Sequence, residues 1–90
     1  MDLYTVVLDF DGGTYISQVH ALSELAALST WKSAISADVP ELSQEVCEEL
    51  ASSLEDEQVV ALSNILNVWC ATATVRGKVA LINIVKTIAD

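Results

Sequence analysis

Residues 3–10, Leu-Tyr-Thr-Val-Val-Leu-Asp-Phe, place Tyr4, Val6, Leu8 and Phe10 on one side of an extended chain. A period of two predicts a strand with one buried face. Asp11, Gly12 and Gly13 follow, and residues 14–20 alternate again. Either Asp11-Gly12 or Gly12-Gly13 supplies a tight turn, so a β-hairpin is expected. The first choice pairs Leu8 with Tyr15, Val6 with Ser17 and Tyr4 with Val19. The second pairs Phe10 with Tyr15, Leu8 with Ser17 and Val6 with Val19. Both keep the same apolar face, because a shift of two residues leaves side-chain direction unchanged.

The period then lengthens. Leu25, Leu28, Trp31 and Ile35 recur at threes and fours, and Ser23 is suited to cap a helix running to about residue 35. Residues 36–39 read as a linker, and Pro40 suits the first turn of a second helix. There Leu42, Val46, Leu50 and Leu54 repeat every four residues, with Cys47 and Ala51 beside them. The acids at 55–57 oppose the negative end of the helix dipole, so the helix should stop at or before Leu54. Residues 59–62 predict a short strand and Ser63-Asn64 a turn. Residues 68–75 and 78–88 predict a second hairpin across Arg76-Gly77. Its one face carries Trp69, Ala71, Ala73, Ala80, Ile82 and Ile84; the other carries Val68, Cys70, Thr72, Thr74, Val79, Leu81, Asn83 and Val85. Both are substantially apolar. The expected fold is α+β: an antiparallel sheet of four to five strands with both helices on one face.

Ninety residues bound this to one domain, residues 1–90, and 52% apolar residues exclude a disordered chain. The longest uncharged stretch, residues 58–75, is broken by Gln58, Asn64, Asn67 and several hydroxyls, which argues against a membrane span. No secretory leader is recognised at the start, and Cys47 and Cys70 read as two buried thiols of a cytoplasmic protein, with a disulfide as the alternative. His20 has no Cys or His at zinc-ligand spacing and is expected at a strand end on the surface. No cofactor or metal is expected.

Charge changes the picture most. The net charge is −9, and residues 1–57 hold twelve acids against Lys32 alone. Such a chain repels nucleic acid and anionic membranes and attracts basic proteins. Glu41, Glu45, Glu48 and Glu49 share one side of the second helix, followed by Glu55, Asp56 and Glu57. This stripe is the candidate surface for a basic partner; its bland alternative is the solvated outer face of an amphipathic helix. The second candidate is the sheet itself, with Trp69, Ala71, Ile82 and Ile84 as residues of a homodimer surface or, equally, of a buried core.

Two stretches resemble known families. "VVLDFDGGT", residues 6–14, looks like the opening motif of haloacid-dehalogenase-type phosphohydrolases, which would make Asp9 a nucleophile and Asp11 an acid/base. The resemblance implies a parallel sheet, a phosphate-binding Ser or Thr, a lysine and a later acid pair holding magnesium. Here an extra glycine interrupts the motif and only Glu55-Asp56 resembles the acid pair, with no apolar strand before it. The chain also turns straight back as a strand, so Asp9 and Asp11 are read as turn residues and no enzyme is expected. The segment "YTVVLDFDGGTYISQVHALSELAALSTW", residues 4–31, resembles the start of HicB-type antitoxins, with a strand, a glycine-containing hairpin and a helix. That family's third strand before the helix and its C-terminal DNA-binding module are missing. The expected function is a non-enzymatic acidic protein of immunity or antitoxin type that occludes a basic partner. The alternative is a small assembly subunit that homodimerises through its sheet.

Overall fold

The computed structural model describes residues 1–54 and 59–88. Along the chain run β1 (Asp2–Phe10), β2 (Gly13–Ala21), α1 (Glu24–Asp38), α2 (Gln44–Ser53), β3 (Val60–Ala61), β4 (Val68–Val75) and β5 (Lys78–Thr87). The strands form one antiparallel sheet in the order β2-β1-β5-β4-β3, so the N-terminal and C-terminal hairpins meet at its centre through β1 and β5.

Both hairpins close through two-residue turns whose central residues have positive φ: Asp11 at 50° and Gly12 at 81°, Arg76 at 53° and Gly77 at 76°. That backbone matches the right-handed twist of the strands it joins, and the glycines adopt it without a Cβ penalty. The first turn selects the Asp11-Gly12 register, pairing Leu8 with Tyr15, Val6 with Ser17 and Tyr4 with Val19. The second pairs Val75 with Lys78 as expected.

Alternation along the strands decides where the helices lie. Tyr4, Val6, Leu8 and Phe10 are buried, and so are Ala71, Ala73, Val75, Ala80, Ile82 and Ile84 on the same side of the sheet. α1 packs there on β2, β1 and β5, and α2 on β4. Leu28, Trp31 and Ile35 from α1 and Cys47, Leu50 and Leu54 from the second helical segment complete one continuous core. The Trp31 indole N–H donates to Ser17 Oγ at 3.1 Å, giving the largest core side chain a polar anchor on β2.

The helices depart from the sequence expectation in three places. Ser23 caps α1 as expected, its Oγ accepting from Ala26 N–H at 3.2 Å. Yet Leu25 is exposed and Ala27 takes its place in the core. α1 also runs on to Asp38, so residues 36–38 are its last turn rather than a linker; the buried Val39 closes it by donating its N–H to Ile35 C=O at 2.8 Å. Pro40 lies in the turn between the helices, and α2 starts at Gln44 with Ser43 as its cap, Oγ accepting from Val46 N–H. A hydroxyl that satisfies an orphan N–H sets a helix start more firmly than the fixed φ of proline, which suits turns equally well. The end at Ser53, with Leu54 as C-cap, is as expected.

Candidate protein-binding surfaces

The sheet has one covered face and one open face. On the open face lie Leu3, Thr5, Val7 and Asp9 of β1, Thr14, Ile16, Gln18 and His20 of β2, and Val79, Leu81, Asn83 and Val85 of β5, joined by Val68, Cys70 and Thr72 of β4 and Val60 of β3. One cross-strand row reads Ile16, Val7, Asn83, Cys70, Val60 from edge to edge. An antiparallel sheet open on one side normally alternates apolar in, polar out. Here Ile16 is 66%, Val60 58%, Val79 68% and Leu81 36% exposed on the outer side. Asp9 is the only Asp, Glu, Lys or Arg among the described residues of that face. Its polar side chains are mostly occupied with one another: Thr14 donates to Asp9 at 2.7 Å, Gln18 to Thr5 at 3.1 Å, and the hydroxyls of Thr5 and Thr87 share a 2.6 Å bond.

The proposed sheet-surface residues fall on the covered side. Ala71, Ile82 and Ile84 are buried beneath the helices, and Trp69 is half-buried, its ring 6.1 Å from that of Tyr4. They belong to the core, so a partner on the sheet would meet the opposite side chains. Which side the helices chose is set by side-chain volume: the covered face combines the N-terminal Tyr4–Phe10 stripe with Ala71, Ala73 and Ala80, small residues that let a helix come close.

The helical side is acidic, with a less regular arrangement than the spacing predicts. Glu41 lies in the turn before α2, outside the helix. Glu45 and Glu49 both reach Arg76: its guanidinium bonds Glu45 Oε2 at 3.1 Å and lies 3.7 Å from Glu49 Oε1, and its backbone N–H donates to Glu49 Oε2 at 2.7 Å. Glu48 accepts from Gln44. Glu55, Asp56 and Glu57 lie outside the described residues. Lys78 pairs with Asp11 at 2.6 Å and Lys86 with Asp2 at 3.5 Å. Among the described residues Asp9, Glu24, Asp38, Glu41 and Glu48 have no ion pair with a lysine or arginine; Asp9 lies on the open sheet face, and the other four belong to the helices or the loop joining them. Lys32, on the same side, donates to Leu54 C=O at the end of α2.

Asp9 sits within an antiparallel strand and Asp11 in the turn that follows, tied to Thr14 and Lys78 respectively. The parallel-strand terminus that a phosphohydrolase nucleophile occupies is not what surrounds them. His20 is exposed near the end of β2, and no group of three or more His, Cys, Asp or Glu side chains converges among the described residues. Cys47 and Cys70 are free thiols. Burial raises the Cys47 thiol above its ordinary range, with the Glu48 charge adding to it; burial likewise raises the Tyr4 phenol, reinforced by Asp2. No described helix is long and apolar enough to cross a membrane. No protein family, curated protein or solved structure matches the chain.

Proposed function

We propose that the chain is a non-enzymatic binding protein of immunity or antitoxin type, whose acidic helical side occludes a basic partner protein. The observation that supports this reading most directly is the segregation of charge. Among the described residues, the basic residues of the second half are held by Asp2, Asp11, Glu45 and Glu49, while four of the five acids without an ion pair, Glu24, Asp38, Glu41 and Glu48, lie on the helical side. Such a field speeds encounter with a cationic surface and weakens with salt. A basic protein encoded beside this one is the partner to titrate, by stopped-flow across a salt series. Reversing Glu41 and Glu48 to lysine is expected to slow association by roughly tenfold. A salt-independent rate, or one that ignores the reversal, would count decisively against the reading.

A second reading, an assembly subunit that stacks its sheet on another copy, is favoured by the exposed apolar side chains of the open face. Their burial would follow the aligned packing of two-sheet proteins. Leu81→Lys near the middle of that face should then reduce a dimeric mass to the monomer's.

A further inference from the structure

The outer edge of β2 carries a different feature. A two-residue turn makes its flanking pair, Phe10 and Gly13, a hydrogen-bonded one, and bonding alternates from there. Gly13, Tyr15, Ser17, Val19 and Ala21 therefore bond inward to β1. The backbone groups of Thr14, Ile16, Gln18 and His20 point outward. All four residues are exposed, and among the described residues none makes a backbone bond to another element. α1 meets β2 through its core-facing side chains, as in the bond from Trp31 to Ser17, and among the described residues makes no backbone bond to this edge.

Open edges are normally blunted by shortness, lysine, proline or a bulge. β3, at the far side of the sheet, is two residues long. β2 has nine residues, an unbroken register, no proline and no Asp, Glu, Lys or Arg. We infer that β2 pairs antiparallel with β2 of a second copy about a two-fold axis at Ser17, joining two sheets into one of ten strands.

Three observations select a second copy and this register. Centring on Ser17 sets Thr14 against His20 and Ile16 against Gln18, so all four outward residues of each strand bond, about eight bonds in all. A shift of the axis to Ile16 or Gln18 leaves one outward residue of each copy without a strand partner. Ser17 itself then forms the close, non-bonded pair on the axis, where a small side chain fits. Charge agrees. Two chains of net charge −9 repel, but this edge holds no acid. His20 of one copy falls in the same row as Thr14 of the other, which already donates to Asp9 at 2.7 Å. Each end of the new ladder thus brings an imidazole toward a carboxylate.

Sedimentation equilibrium and amide hydrogen exchange on the intact chain test this. The expected mass is twice 9.7 kDa, with the Thr14, Ile16, Gln18 and His20 amides protected as well as those of the inward residues. Gln18→Pro removes an outward N–H and leaves the β1 ladder intact, so it should give a folded monomer by circular dichroism. Ile16→Lys serves the same end should the proline variant fail to fold. A monomeric unmodified chain overturns the inference. So does a dimer that survives both substitutions, or one whose outward amides exchange freely. Leu81→Lys separates this interface from sheet stacking: Leu81 lies on the third strand from the edge, so an edge dimer persists in that variant, and loss of the dimer there overturns the edge pairing.

Discussion

Asp11 and Arg76 occupy matching positions in the two hairpin turns, and both hold a left-handed backbone that a branched or bulky residue resists. Gly12 and Gly77 complete those turns with open space where a Cβ would stand. Gly12→Ala therefore meets no clash and suffers backbone strain alone, on the order of 1 kcal/mol. A urea titration should show a lower midpoint with an unchanged slope. Cys47 and Tyr4 make a residue-scale prediction about pH. Both acids are raised in the folded protein chiefly by burial, so folding holds them protonated. The stability this contributes is complete below the pH at which the unfolded groups ionise. It is lost as pH climbs through the folded values, so stability should decline from about pH 9 upward. Thermal melts from neutral to alkaline pH measure this, and a flat profile would contradict it.

At the scale of elements, Glu49 does for the β4–β5 turn what a capping side chain does for a helix. Its carboxylate takes the Arg76 backbone N–H while its neighbour Glu45 takes the guanidinium, pinning the turn to α2. Glu49→Ala should cost about 1 kcal/mol, since a charge-assisted bond is lost at a partly exposed site. Glu48→Ala, one residue away and bonded among the described residues only to Gln44, should stay within about 0.5 kcal/mol in the same denaturation assay. The strands, and the core face of the N-terminal hairpin, were legible in the sequence because a period of two leaves little choice once Tyr4, Val6, Leu8 and Phe10 are aligned. Helix boundaries were less so. Ala27 and Leu25 are both apolar, and only the angle at which α1 meets β2 decides which is buried. Pro40 was the expected start of α2, and the structure instead starts it at Gln44 with Ser43 as the cap. The candidate sites were legible only in part. Spacing could align Glu45 and Glu49, but not reveal that Arg76, 27 residues on from Glu49, would occupy both. The two apolar faces of the C-terminal hairpin were likewise indistinguishable until the small residues of one were seen under the helices.

For the whole molecule, the arrangement yields two unlike sides, an acidic helical layer and a nearly uncharged sheet. Interactions at them should respond oppositely to salt: binding through the helices weakens as ions screen the field, and association through the sheet holds or strengthens. Measuring self-association and partner binding across one salt series separates them, and parallel trends would refute the division. The sheet order has a further consequence. β1 lies between β2, its immediate successor, and β5, the last strand, so Leu3 pairs with Thr87 and Thr5 with Val85. During synthesis the first hairpin emerges before β5, so its inner edge has no partner until that strand has been made. Closing so long a loop is slow. During that interval the Val6–Leu8 face and the β1 edge are both uncovered, so the nascent protein is exposed to mispairing at a strand that ends up paired on both edges.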